Sequence, residues 1–211
     1  MCAVKEPVVI HKGLDNVYIK ESKICLIDGE ASKLFYRGYS IEELAENSTF
    51  EETAHLLIYG WPPTKTQLEE FRESVESNRL LEPGVLQMLQ SFPSASHPMD
   101  ALRTAVSALS LYDPDPADPG MDARISKGLK ILAKAPTIVA AFNQVRNREE
   151  PVAPHIGLSH AADFLYMLTG KRPDPYDAHV MDVALILHAE HEMNASTFSC
   201  TVTASTLADM Y

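Results

Sequence analysis

Residues 176–197 read YDAHVMDVALILHAEHEMNAST, a run that joins an amphipathic helical pattern to a polar segment rich in histidine and glutamate. Val180, Val183 and Leu187 follow one another at spacings of three and four, the period of a helix face that packs on a core. Four residues further on, the same stripe reaches His191. The run therefore predicts a helix over 175–192, with His191 on its buried face and His188 on a neighbouring stripe.

His191 and the residues that follow it are the strongest candidates for a binding site. A histidine at a helix end can donate a hydrogen bond to a carbonyl or carboxylate of a ligand. It can equally be a core histidine that binds carbonyls of its own helix. Asn194 can cap a last helix, expected to begin near Ser196, or present its amide to the same ligand. Spacing alone leaves both pairs of alternatives open.

A metal site is a weaker interpretation of these histidines. His188 and His191 are three residues apart, but no HExxH or ExxH partner stands nearby. Glu52 and His55 have ExxH spacing, and a single match of this kind is not specific. The sequence therefore predicts no metal. Arg37 is expected to have a structural rather than a catalytic role, and no Ser/His/Asp or Cys/His set can be argued from spacing.

Outward from this run, most of the chain carries the signatures of capped helices. Capping boxes predict helices that start at Ser40, Thr49 and Thr66. A long helix is expected over 123–147, and Pro136 should kink or divide it. Shorter helices are expected over residues 84–91, 101–111 and 160–169. A face of small residues on the last helix suits close packing of helices within or between chains.

The N-terminal part differs, because residues 24–36 predict a β-hairpin around the turn signal Asp28-Gly29. Roughly nine helices and one hairpin make the predicted fold all-α. Residues 112–120, YDPDPADPG, form an acidic, proline-rich loop. This loop could alternatively be a linker between two domains. The sequence patterns on its two sides are both helical and alike, which favours a single domain.

Composition narrows the functional classes. The chain has 211 residues, with 45% hydrophobic and 22% charged residues, which is typical of a globular protein. A net charge of −11 argues against nucleic acid and anionic membranes as partners. No apolar run is long enough to span a membrane, and no targeting segment is evident, so a cytoplasmic protein is predicted. Cys2, Cys25 and Cys200 are expected to be reduced thiols.

Several segments, in this order, resemble the citrate synthase family, in its shorter bacterial and archaeal style. The matching segments are KGL at 12–14, IDG at 27–29, YRGYSIEEL at 36–44, HPMDALRTAVSAL at 97–109, AKAPTIVAAF at 133–142, ADFLYMLTG at 162–170 and HAEHEMNAST at 188–197. The resemblance covers essentially the whole chain. It implies that residues 1–211 are the N-terminal part of the citrate synthase large domain, with the hairpin at 24–36 followed by helices, and that the small domain and the C-terminal part are absent.

The resemblance also implies an acyltransferase chemistry. A carboxylate removes a methyl proton from acetyl-CoA, and a histidine stabilises the resulting enol, which attacks the ketone of oxaloacetate. Hydrolysis of the thioester then gives citrate and CoA, the entry step of the tricarboxylic acid cycle. The family position that binds oxaloacetate falls on His191, Asn194 matches a position close to the same ligand, and His188 matches a position that is often histidine. No cofactor is implied besides the acetyl-CoA substrate, and a homodimer is expected.

The resemblance places the remaining catalytic residues beyond Tyr211, so none is assigned within the chain and no turnover is expected from the chain alone. The final residues, STLADMY, look like the interior of a helix, which predicts a truncated product. One alternative is 2-methylcitrate synthase, which uses propionyl-CoA; the segments present do not separate it from citrate synthase. The other is a non-catalytic helical chain that uses the same dimer surface for assembly or regulation.

Overall fold

The computed structural model describes Val17 and residues 19–211, and it begins with a small antiparallel sheet. The strands are β1 (Cys25–Asp28), β2 (Lys33–Tyr36) and β3 (Tyr39–Ser40), and they lie side by side in sequence order. The hairpin predicted over 24–36 is confirmed, and β3 adds a third, two-residue strand to it. Cys2 and the KGL segment at 12–14 lie outside the described residues.

The described residues after the sheet form nine α-helices and one 3₁₀ turn, so the all-α prediction is confirmed. The helices are α1 (Ile41–Asn47), α2 (Phe50–Tyr59), α3 (Lys65–Ser77), α4 (Pro83–Ser91), α5 (Pro98–Ala108), α6 (Met121–Arg146), α7 (His160–Thr169), α8 (Pro175–Leu187) and α9 (Ala195–Ser205). The 3₁₀ turn, Leu109–Tyr112, extends α5. Within the part of the chain that is described, none of these helices has the length and apolar character needed to cross a membrane.

Local hydrogen bonds account for most helix ends. The Thr49 side chain accepts a hydrogen bond from the backbone N–H of Glu52, whose carboxylate accepts from the N–H of Thr49, so the predicted capping box is present. The predicted start at Thr66 is wrong, because Thr64 caps α3 and Gln67 completes the box. Thr64 and Gln67 form the same kind of capping box two residues earlier in the chain, so α3 starts earlier and is longer than predicted.

The long helix α6 runs through Pro136 without a break, so of the two outcomes predicted for this proline, a kink or a division, division does not occur. Proline removes one backbone hydrogen bond of the helix ladder. Ala133, Ile138 and Ala140 on either side of it are almost fully buried. Tertiary packing around the proline therefore keeps the helix continuous.

Two hydrophobic clusters form the core, and α6 belongs to both. The first cluster joins the sheet with α1, α2, α3, the first half of α6 and α8, and it includes Tyr36 and Ile186. The second cluster joins α4, α5 and the second half of α6, and it includes Leu109 and Ile138. Because Leu109 and Ile138 share one core, the loop over 112–120 connects elements of a single packed unit and is not a domain linker.

Polar contacts also cross between helices at their first turns. The carboxylate of Asp182 in α8 accepts a hydrogen bond from the backbone N–H of Phe50 at the start of α2 (3.1 Å). The carboxylate of Glu51 in α2 accepts one from the N–H of His160 at the start of α7 (2.9 Å). Each carboxylate therefore accepts a hydrogen bond from a first-turn N–H group of another helix, which has no partner within that helix.

Candidate functional site

The helix α8 ends at Leu187, which is earlier than predicted, and this changes the position of the candidate residues. His188 is the C-cap, and His191 lies beyond the helix with an exposed side chain. The prediction of a helix over 175–192 that buries His191 is therefore wrong. In a longer helix the N–H of Glu190 would bind a helix carbonyl, but here it donates to the hydroxyl of Tyr36 (3.2 Å).

His188 adopts the role of a helix-capping histidine. Its Nδ1 lies 2.7 Å from the carbonyl oxygen of Ala184, and because a carbonyl only accepts, Nδ1 carries the hydrogen. The backbone N–H of His188 donates to the same carbonyl (3.2 Å). The structural alternative considered for His191 is thus realised by His188 instead.

Asn194 caps the start of α9. Its side-chain oxygen accepts a hydrogen bond from the backbone N–H of Thr197 at 2.9 Å. The capping role is therefore confirmed, and the side-chain NH₂ group of this exposed residue is not needed for it. The last helix ends at Ser205, because Leu207 has a left-handed φ of 64°, so the prediction that it runs into the chain end is wrong. The small residues of α9 face no core, since none of the described residues of this helix is buried.

The three predicted site residues thus lie together on residues 188–194, which we call the His191 turn. It joins the C-terminus of α8 to the N-terminus of α9, and all three side chains are exposed. An imidazole, a side-chain amide and the free backbone N–H groups at the start of α9 can all donate hydrogen bonds to a carboxylate or a ketone. The turn therefore has the donors that a small oxo-acid anion requires.

Two residues that sequence reasoning did not single out hold this turn. The hydroxyl of Tyr36 contacts the backbone of Glu190, and the carboxylate of Glu192 accepts a hydrogen bond from the N–H of Ile27. No short-range pattern identifies such pairs, because the partners are more than 150 residues apart in the sequence. Arg37, in contrast, has the structural contact expected of it: its Nη2 donates to the Leu57 carbonyl in the last turn of α2 (3.0 Å).

The residues considered for a metal site have other contacts. Glu52 completes the capping box of α2, and Nδ1 of His55 lies 3.1 Å from the carbonyl oxygen of Trp61. Among the residues that the structure describes, no three histidine, cysteine, aspartate or glutamate side chains come together in a way that could hold a metal ion.

Comparison with solved structures defines the class of the fold. The chain is similar to the crystal structure of citrate synthase from Pyrobaculum aerophilum, with a TM-score of 0.87 and 42% sequence identity. The match covers 96% of this chain and 52% of that one. The fold is therefore that of the helical citrate synthases.

The chain belongs to the citrate synthase family. The family model described as citrate synthase, C-terminal domain, matches residues 13–211. The chain is 46% identical to the citrate synthase of Synechocystis sp. over 203 residues, which cover 96% of this chain and 51% of that protein. It is 40% identical to 2-methylcitrate synthase 1 of Corynebacterium glutamicum over 207 residues, with 96% and 54% covered. The chain thus spans about half the length of these curated relatives.

Proposed function

We propose that the chain supplies the oxaloacetate-binding part of a citrate synthase, which condenses acetyl-CoA with oxaloacetate and water to give citrate and CoA. One observation carries the proposal. His188, His191 and Asn194, the positions that the family resemblance connects with oxaloacetate, lie on one exposed turn of a chain that belongs to the family. The hydrogen-bond donors of that turn fit a ketone flanked by carboxylates.

In this proposal His191 donates a hydrogen bond to the ketone oxygen of oxaloacetate and polarises the carbonyl for attack. Asn194 and the N-terminus of α9 bind a carboxylate of the same molecule. Proton removal from acetyl-CoA and stabilisation of the enol are assigned to no residue of 1–211. Turnover is therefore expected only when these residues are joined by a further part of a synthase, and no cofactor is required beyond acetyl-CoA as substrate.

The test compares oxaloacetate binding by the full-length gene product that carries this chain and by its His191→Ala variant. Isothermal titration calorimetry should show at least a tenfold increase in the oxaloacetate Kd, with an unchanged circular dichroism spectrum. His179→Ala, an exposed histidine of α8, is the matched control and should bind as the parent does. Equal affinity of the His191→Ala variant and the parent would contradict the proposal, as would a parent that binds no oxaloacetate.

A second candidate is 2-methylcitrate synthase, favoured by the identity to the Corynebacterium glutamicum relative. The two activities differ in the acyl-CoA, so the kcat/KM values for acetyl-CoA and propionyl-CoA separate them in the full-length protein. A higher value for acetyl-CoA supports the first proposal. Oxaloacetate binding without release of CoA from either thioester would favour a non-catalytic helical chain.

We also propose that the protein acts in the cytoplasm as a homodimer. Large exposed apolar side chains at the start of α5, in the 3₁₀ turn that follows it and at the start of α6 support the dimer: Met99, Leu111 and Met121 are 60%, 81% and 68% exposed. Analytical ultracentrifugation should give twice the mass of one chain, and Leu111→Ser with Met121→Ser should weaken the dimer. Ile156→Ser removes an equally exposed side chain outside these helices and should leave the mass unchanged.

A further inference from the structure

Tyr36 connects the N-terminal sheet to the His191 turn through its hydroxyl group. The side chain is fully buried at the end of β2. Its hydroxyl accepts a hydrogen bond from the backbone N–H of Glu190 (3.2 Å). It donates its own hydrogen to the Glu190 carbonyl at 3.1 Å, with the Leu187 carbonyl at 3.4 Å as a longer alternative. One hydroxyl therefore binds both the N–H and the carbonyl of the residue directly before His191.

Glu192 holds the other side of the same turn. Its Oε1 accepts a hydrogen bond from the backbone N–H of Ile27 at 2.8 Å. Ile27 belongs to β1, which is an edge strand of the sheet, so this N–H points away from its strand partner. Glu192 also has a left-handed φ of 54°, a conformation that non-glycine residues adopt rarely and that surrounding contacts must maintain. The sheet thus fixes the residue directly after His191 as well.

We propose that Tyr36 and Glu192 are positioning residues, which fix the backbone of the His191 turn so that His191 and Asn194 face one oxaloacetate molecule together. The identity of the ligand rests on the proposed function, whereas the clamp itself rests on these contacts alone. Among the residues described, no hydrogen bond holds the ring of His191, although both of its neighbours are anchored. A fixed backbone with a free donor is the arrangement that preorganised binding requires.

The hydroxyl of Tyr36 can be separated from the packing of its ring. The ring belongs to the first hydrophobic cluster, and phenylalanine fills the same volume without the hydroxyl. Tyr36→Phe therefore removes the hydrogen bonds to Glu190 and leaves the core filled. Tyr39→Phe is the matched control, because Tyr39 lies in β3 and its hydroxyl makes no hydrogen bond within the described residues.

The experiment measures the clamp and the ligand separately in the full-length protein. Amide hydrogen exchange at Glu190 should be at least tenfold faster in Tyr36→Phe than in the parent or in Tyr39→Phe. The oxaloacetate Kd and KM should rise about tenfold, because only the fraction of molecules with a correctly placed turn binds the ligand. The KM for acetyl-CoA should stay unchanged, which a general loss of folding would not produce.

Glu192 provides a second test that does not disturb the core. Glu192→Ala should raise the oxaloacetate Kd several-fold, and Glu192→Gln should restore most of the affinity, because the amide oxygen still accepts from Ile27. Unchanged exchange at Glu190 and unchanged Kd in Tyr36→Phe would overturn the inference. A parent that binds no oxaloacetate would overturn the proposed function, and the exchange rates would still decide whether Tyr36 holds the turn.

Discussion

Two histidines in the C-terminal part of the chain, His160 at the start of α7 and His191 in the turn between α8 and α9, have opposite surroundings. His160 begins α7 and is 95% buried, with its ring 5.1 Å from that of Phe50. Burial, with a smaller effect of the Arg79 guanidinium, lowers the pKa of His160 to about 4. His191 lies in a turn with an exposed ring. The core therefore uses His160 as a neutral aromatic side chain, whereas the ring of His191 is exposed to solvent.

The stability of the buried region around His160 should depend most on the ion pair between Arg79 and Asp163. Their charged groups lie 3.1 Å apart, and both side chains are at least 95% buried. Asp163→Ala leaves the guanidinium of Arg79 buried without its partner, so the free energy of unfolding should fall by about 3–5 kcal/mol. Urea unfolding at pH 7 measures the change.

The exposed pair between Arg103 and Asp100 is the control for this prediction. Its side chains are 78% and 60% exposed, so Arg103→Ala should cost less than about 1 kcal/mol. Equal losses of unfolding free energy in the two variants would show that burial does not make the Arg79–Asp163 pair more important for stability than the exposed pair.

His160→Phe should change the pH dependence of stability. The pKa of His160 in the folded state, about 4, is below the usual value of 6.5, so the unfolded chain binds more protons between these values. Neutral His160 therefore stabilises the fold above pH 6.5. This contribution to the free energy of unfolding, about 3 kcal/mol, is lost as the pH falls towards 4. Urea titrations at pH 7 and pH 4.5 should show a smaller acid loss in His160→Phe than in the parent.

His191→Ala is the natural control, because it also removes an imidazole but from an exposed position. Its unfolding free energy should fall with acid as the parent's does. If His191→Ala removed the loss of stability in acid and His160→Phe kept it, the assignment of this loss to the buried His160 would be wrong.

Asp182→Asn should give a smaller effect of the opposite sign. Burial and the nearby Glu51 raise the pKa of Asp182 to about 6, so the folded state binds more protons between pH 3.8 and 6. The parent's ionised Asp182 therefore disfavours the fold above pH 6, and this cost disappears as the pH falls. Asparagine still accepts from Phe50, so Asp182→Asn should stabilise the protein by about 1–2 kcal/mol at pH 8, allowing for partial exposure.

Thermal unfolding at pH 8 and pH 5 measures this change. The stabilisation by Asp182→Asn should be largest at pH 8 and about half as large at pH 5, because the cost of the charge disappears only as the pH falls to the ordinary carboxyl pKa of 3.8. Asp177→Asn, on an exposed position of the same helix, should have the same small effect at both values. A gain for Asp182→Asn that did not depend on pH would contradict the role of its charge.

Local rules predicted most of the fold. The hairpin, the capped starts of α1 and α2 and the number of helices depend on residues within a few positions of one another. The end of α8 was predicted wrongly because the hydroxyl of Tyr36, 154 residues away, binds the N–H of Glu190. The pairing of Arg79 with Asp163 spans 84 residues and has no local pattern. Contacts of this range are set by packing, which short sequence windows do not contain.

The candidate site shows the same division. Helical spacing pointed to His191 for a wrong reason. The helix ends at Leu187, and the stripe that was predicted to be buried is exposed at Val180 (49%) and Leu187 (44%), whereas Ile186 is the buried residue of α8. Resemblance to the family connected His191 and Asn194 with oxaloacetate. The anchors Tyr36 and Glu192 were not predicted, because their partners Glu190 and Ile27 lie on distant parts of the chain.

The proposed role of His191 is tested most directly by NMR, which follows the histidine ring resonances of the full-length, ¹⁵N-histidine-labelled protein while oxaloacetate is added. Substitution of each histidine in turn assigns the signals. We expect the ring resonances of His191 to shift with a saturable dependence on oxaloacetate and those of His160 to stay in place. A saturable shift of other histidines with His191 unchanged, or no shift at all, would contradict the claim that the His191 turn binds the substrate.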